Sequence, residues 1–298
     1  MVPTNAAQSS SHNTGHGRHN TTVATMATMD MAELAKGMIA QRQETGWQRA
    51  IDDSLLITGR NLIRLKRNPI VIVAIAIFPM VFLLGFLIIG QKLMADQGVN
   101  YIQYLVPIIN LQALFFSGLG SAIMLAKDIE TGMMQRCRSM PISRVAVIAA
   151  LVMAYMVRAL LATLFLLIVA HIFGFRFQGN LLHWLGYFTL VVTFTGTCIT
   201  GYSVLALKLR NPTLVDSVAI IPYTPLLLLS NGFSPTENFP TWLQPIVRYQ
   251  PVSVTCDALR SLIEGAAGSL PLFLASFGWL ASLLVILGFL SVQQYKKL

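Results

Sequence analysis

The 298-residue sequence is poor in charge: 11% of its residues are Asp, Glu, Lys or Arg, while 55% are apolar. Soluble domains carry about a quarter charged residues, so the shortage excludes an ordinary water-soluble protein and marks a membrane protein. Cysteine is equally sparse. Cys137, Cys198 and Cys256 stand too far apart for a CxxC pair or a Cys/His zinc spacing, which leaves reduced thiols and no metal site. No GxxxxGK(S/T) loop is present, so the chain cannot cradle a nucleoside triphosphate in the P-loop manner, and HExxH and GxSxG are missing too. No apolar stretch with a cleavage site occurs in the first 68 residues, which predicts no secretory leader and an N-terminus retained inside.

The charge that remains is lopsided, at a formal net +9, and it clusters at the ends of apolar runs. Cytoplasmic ends of membrane spans collect Lys and Arg, so this distribution points to topology and anionic headgroups. No basic-plus-aromatic module accompanies it, and no nucleic-acid partner is expected.

Three regions follow from composition. Residues 1–45 are mostly Ser, Thr, Asn, Gln, Ala and Met, which predicts a disordered cytoplasmic tail. Its His12, His16 and His19 lie in a segment with no rigid geometry to hold a metal. Over 46–68, Trp47, Ile51, Leu55, Thr58, Leu62 and Leu65 recur every three or four residues and charges take the other faces, the pattern of an amphipathic helix lying along the interface. Residues 69–298 form the membrane domain, with candidate spans at 69–91, 102–126, 148–173, 181–207, 213–232 and 271–293. A hydrocarbon core of about 30 Å needs roughly 20 helical residues. Unpaired backbone groups cannot face lipid, so the expected fold is all-α, with six transmembrane helices.

Arg60, Arg64, Lys66 and Arg67 precede the first span; Lys127, Arg136, Arg138 and Arg144 lie between the second and third; Lys208 and Arg210 between the fourth and fifth; Lys296 and Lys297 follow the sixth. The positive-inside rule then places both termini, and the loop around "KDIETGMMQRCRSMPISR", in the cytoplasm. Between the fifth and sixth spans an external segment carries Pro235, Pro240, Pro245 and Pro251, which predicts short helices or a re-entrant hairpin rather than a seventh crossing.

In the cytoplasmic loop, Asp128 and Glu130 are expected to open a short helix and Arg136 and Arg138 to close it, in keeping with the helix dipole, with Pro141 ending the segment. Charge placement leaves two readings open, a docking element and a solvated linker that fixes topology. The spacing E-x-G-x3-R-x4-P, here Glu130, Gly132, Arg136 and Pro141, resembles the coupling-helix region of type-2 ABC exporter membrane subunits. The amphipathic helix before the first span, the six spans and the late run "FPTWLQPIVRYQPVSVTCDALRSLIEG" are similar to that family as well. Within it, "YLVPIINLQALFFSGLGSA" and "RCRSMPISR" look closest to the daunorubicin/doxorubicin-resistance-type permeases of actinobacteria. Gln135, Cys137 and Met140 depart from the commoner family pattern, which bears on the contacts made there.

The resemblance implies two membrane subunits, same or paralogous, each seating a coupling helix in a separate ABC ATPase subunit that binds the ATP and Mg. On that reading Asp128, Glu130, Gly132, Arg136, Arg138 and Pro141 are the ATPase-coupling residues and the chain itself is not an enzyme. The implied setting is a bacterial plasma membrane. Few charges lie within the spans, which suits a bulky hydrophobic cargo, drug-like or a lipid or glycolipid. A polysaccharide or glycoconjugate exporter would want a more aromatic path than Trp184, Tyr187 and Tyr202 offer. An ion-coupled transporter would want more span carboxylates than Asp216 and an internal repeat.

Four intramembrane residues are candidates for a translocation path or for pairing: Arg158, Asp216, Thr193 and Thr197. A buried Arg is costly and should face protein or water, or snorkel to the headgroups; Asp216 is a possible partner for it. Thr189, Thr193, Thr197 and Gly201, and likewise Ala113, Ser117 and Ser121, repeat every four residues, a pattern of close helix packing or of a polar lining. Pro79, Pro107, Pro222 and Pro225 are expected to kink their spans, as hinges or as static packing.

Overall fold

A computed structural model describes residues 69–95, 101–132, 144–266 and 268–296. The tail 1–45, the amphipathic stretch 46–68, and Arg136, Arg138 and Pro141 lie outside the described residues. The described chain holds eight α-helices: α1 Pro69–Ala95, α2 Tyr101–Glu130, α3 Arg144–Ile172, α4 Leu181–Leu209, α5 Pro212–Leu228, α6 Gln244–Tyr249, α7 Pro251–Glu264 and α8 Ser269–Lys296. A 3₁₀ turn, Thr236–Asn238, precedes α6. No strand occurs among the described residues.

Among the described residues, four stretches are long and apolar enough to cross a membrane: Tyr101–Glu130, Val152–Ile172, Leu181–Leu209 and Ser269–Gln294. Ile77–Gly90 within α1, and α5, are shorter apolar helices. The centre of the domain is α2 against α4. In their most apolar windows 72% of α2 and 61% of α4 is buried, against 11% for α8, which puts α8 at the periphery. α2 also packs on α1, α3, α5 and α7, while α8 lies on α4 and α7. Gly118 permits the central contact, because a Cβ there would stand 2.8 Å from Cys198 Cβ on α4. Small residues let membrane helices approach closely, where van der Waals contact replaces the hydrophobic drive of a water-soluble core.

Local chemistry sets the ends. α4 stops at Arg210, whose φ of 54° is left-handed, and whose N–H returns to the Ala206 carbonyl. Asn211 then caps α5, its side-chain oxygen accepting from the Thr213 and Leu214 N–H groups at 3.0 and 3.1 Å, with Pro212 in the first turn where no N–H is needed. At its far end α5 stops at Leu228, short of the expected 232. Ser230 Oγ donates to the Leu227 carbonyl at 2.6 Å and accepts the Gly232 N–H at 3.3 Å. A hydroxyl that bonds the nearby backbone in this way offers the chain an alternative to another helical turn. The segment expected to be external is neither a seventh crossing nor a simple loop, but the 3₁₀ turn followed by α6 and α7.

Candidate functional site

Asp128 and Glu130 do not open a new helix as expected, and the remainder of the short helix expected after them lies outside the described residues. α2 runs unbroken to Glu130, so Asp128 and Glu130 occupy its last turn instead of opening a new helix. The Thr131 N–H and hydroxyl both reach the Lys127 carbonyl at 2.9 Å, the Gly132 N–H reaches the Ile129 carbonyl at 3.1 Å, and Gly132 adopts a φ of 68°. Nothing in the sequence halts the helix before a glycine that can enter the left-handed region. Both acids therefore sit where the helix dipole disfavours negative charge, and Lys127 beside them is the favourable partner of that end.

Deeper in the domain, Arg158 stands midway along α3, half-buried, with its guanidinium carbon 5.8 Å from the Tyr155 ring centroid. It faces α2: a Cβ at Gly120 would lie 3.6 Å from Arg158 Nη1 and 3.3 Å from the Tyr155 ring. Asp216 is exposed near the start of α5 and is not ion-paired with Arg158; the ion pair among the described residues is Arg260 with Asp257. Thr193 donates to the Thr189 carbonyl at 2.8 Å, and Thr197 to the Thr193 carbonyl at 2.9 Å and to Leu280 of α8 at 3.3 Å. A Cβ at Gly201 would meet Leu287 of α8 at 3.2 Å. The hydroxyls of the threonine stripe are thus spent on backbone carbonyls, with Thr189 exposed and Thr197 and Gly201 set against α8.

Two clusters emerge that the sequence did not announce. The first ties three helices at the buried centre. Asn110 of α2 donates through Nδ2 to the Tyr187 hydroxyl of α4 at 2.8 Å and accepts at Oδ1 from Thr163 of α3, also at 2.8 Å. All three side chains are inaccessible to solvent. A buried amide is tolerated when its donors and acceptors are matched, and here one of each is.

The second lies where the external segment meets α2 and the end of α5. Its hub is Arg260 of α7, whose side chain is 12% exposed. Nε and Nη2 donate to the Tyr104 carbonyl at 3.2 and 3.1 Å, Nη2 also to the carbonyls of Asn231 and Gly232 at 3.1 and 2.8 Å, and Nη1 to Asp257 Oδ1 at 3.2 Å. The guanidinium carbon lies 3.5 Å from the Tyr104 ring centroid. Tyr104 donates its hydroxyl to the Asn231 carbonyl at 2.5 Å, and Asn231 Nδ2 donates to Asp257 Oδ2 at 2.7 Å. Gln250 supplies the remaining donor, to the Leu229 carbonyl at 2.7 Å. Once α5 has stopped at Leu228, the carbonyls of 229, 231 and 232 have left the helix, and buried carbonyls must be paired. The planar fork of Arg260 pairs two of them and the helix α2 at once. Burial raises the Asp257 carboxyl above its ordinary value, by more than Arg260, the Asn231 amide and Arg248 lower it. A cavity of about 620 Å³ opens beside this cluster, lined in part by Tyr104, Glu237, Arg248, Tyr249 and Asp257.

The signals for both clusters were present but faint. Asn110 and Gln112 are two amides inside an otherwise apolar run, and Asp257 with Arg260 is an i,i+3 pair of opposite charge in the proline-rich segment. Among the described residues no three His, Cys, Asp or Glu side chains gather as a metal site.

Long apolar helices around a matched polar core, with a helical segment stapled across one end, define a multi-pass helical membrane protein. The chain belongs to the ABC-2 type transporter family, whose model matches residues 54–263, a span that takes in the loop after α2 and nearly all of α7. It is similar to a daunorubicin resistance ABC transporter permease protein of Streptomyces coeruleorubidus, 27% identical over 219 residues that cover 74% of this chain and 77% of the relative. A doxorubicin resistance ABC transporter permease protein of Mycobacterium tuberculosis is 29% identical over 225 residues, 70% of this chain and 77% of the relative. A putative transport permease of Cyanophora paradoxa is 25% identical over 261 residues, 83% and 89% of the two chains. Membership of this family implies an ABC ATPase partner.

Proposed function

We propose that the chain is the membrane subunit of an ATP-driven exporter of bulky hydrophobic compounds, paired with a second permease subunit and driven by a separate ATPase that holds the ATP and Mg. The observation that carries this reading is the family match over 54–263 in a chain without a P-loop: energy has to enter through a neighbour. The resistance permeases among its relatives support a drug-like cargo. So do span interiors that hold few charges to meet an ionic solute, with Asn110, Tyr187 and Thr163 paired among themselves. The six-span arrangement is supported by the 27 residues of α1 and by α5, whose 17 residues reach the lower limit of a crossing. The positive-inside pattern supports a bacterial plasma membrane topology with both termini cytoplasmic, residues 1–45 as a tail and 46–68 as an interfacial helix.

Asp128, Glu130, Gly132, Arg136, Arg138 and Pro141 are the coupling residues of this proposal. Glu130 and Gly132 end α2 in a turn that projects the following loop from a helix anchored in the domain core. Charge reversal at Glu130 and Arg136 in vesicles holding both subunits is expected to abolish ATP-dependent uptake of a fluorescent hydrophobic drug and to release the ATPase on purification. Uptake by the membrane subunit alone, down no gradient and with no ATPase present, overturns the proposal.

A further inference from the structure

One apolar stripe has no partner among the described residues. α6 buries Val247 completely, while Trp242 in the preceding turn, Ile246 and Tyr249 are 72%, 57% and 68% exposed. Their spacing, i, i+4 and i+7, puts the three on one face of the helix and of the turn that leads into it. Arg248 is exposed beside them and lines the cavity next to Tyr249. α6 packs on α7 and the 3₁₀ turn, and both its neighbours in sequence belong to the end of the domain where α3 and α5 finish and α4 and α8 begin. At that end Ile172, Leu181, Leu182, Leu228 and Leu270 are all exposed, a rim of apolar side chains continuous with the lipid-facing surface of the spans.

We propose that Trp242, Ile246 and Tyr249 form an interfacial anchor, seated at the headgroup–acyl boundary of the leaflet at this end of the molecule, with Arg248 meeting a lipid phosphate. The chemistry selects the occupant. Trp and Tyr have an apolar body and a polar tip and concentrate at the membrane–water boundary, and a guanidinium beside them matches phosphate in charge and geometry. Three side chains on a single short turn fall far below the roughly 800 Å² per partner of a stable protein interface, whereas a bilayer needs only a shallow amphipathic face. The anchor would hold the external segment, and with it Arg260, at a fixed depth relative to the spans.

The proposal rests on the multi-pass reading but not on the cargo, on ATP coupling or on which side is external, and its readout separates it from those. The test is nitroxide scanning of the full chain with its ATPase in nanodiscs of phosphatidylcholine and phosphatidylglycerol. Labels are placed one at a time at 241, 242, 246 and 249 in a background with the native cysteines replaced. Labels at 242, 246 and 249 are expected to collide more with oxygen than with a nickel chelate, and the label at 241 to show the reverse. A preference for the nickel chelate along the stripe makes it aqueous and overturns the anchor. Protection from both reagents makes it a protein contact, such as a second copy of the chain, and overturns it equally. A second measurement avoids any loss of folding in the labelled variants. The difference in tryptophan emission between the parent and Trp242→Phe is expected to be quenched severalfold by lipids brominated near the headgroup, and an unquenched difference has the same overturning force.

Discussion

Arg260 concentrates more hydrogen bonds than any other side chain described, and its removal takes the Arg260 donor from the Gly232 carbonyl and leaves that of Asn231 with the Tyr104 hydroxyl. An orphaned group costs about 1–3 kcal/mol, so Arg260→Ala is expected to lower the thermal unfolding midpoint in detergent well beyond a surface substitution. Arg260→Lys keeps the charge but loses the fork that addresses Tyr104, Asn231 and Gly232 together, and should fall between the two. A parent-like midpoint for the alanine variant would mean that the hub holds nothing. Asp257 permits a separate check. Its folded carboxyl titrates above the ordinary value of 3.8, so the folded state binds the extra proton. Stability then falls as pH rises from the ordinary value through the folded one. Asp257→Asn removes that slope, and the difference between the two midpoint-versus-pH curves reads it directly. Little of this was legible in the sequence, where Asp257 and Arg260 stand out only as an i,i+3 pair of opposite charge. Its role depends on α5 ending early, and that in turn depends on one serine hydroxyl.

At the scale of elements, the Asn110–Tyr187–Thr163 contact fixes the register of α2, α4 and α3 against one another. Tyr187→Phe strands a buried amide hydrogen and is expected to cost about 1–3 kcal/mol. Asn110→Leu placed on top of it should cost clearly less than Asn110→Leu alone, since the shared bond has already gone; a thermal double-mutant cycle measures the coupling. Additive losses would show the bond to be idle. The helices themselves were readable from apolar run length, because lipid leaves the backbone no alternative to internal pairing. Their ends were not. α2 outran its expected limit at 126 to reach Glu130 because no breaker precedes Gly132, and α5 undershot 232 because Ser230 bonds back onto Leu227. The threonine stripe of α4 was readable as a repeat, and its hydroxyls bond the helix backbone as hydroxyls in membrane helices commonly do.

For the whole molecule, α2 is the element that joins the two ends. Its 30 residues span about 45 Å at 1.5 Å per residue, with Asp128 and Glu130 in its last turn and Tyr104 in its first, the latter gripped by Arg260 through backbone and ring. Between them it contacts α1, α3, α4, α5 and α7, so a tilt imposed at the Glu130 end has to be carried by a central strut to α7 at the other. If a partner ATPase drives that tilt, loosening the far grip should separate fuel use from work. In vesicles holding both subunits, Arg260→Lys is therefore expected to keep most ATP hydrolysis while exporting less drug per ATP consumed. A variant that is merely misfolded would lose both in proportion, and one that exports at the parental ratio would show that the outer grip is not part of the stroke. The ratio is the informative quantity, because it is unmoved by how much protein reaches the membrane.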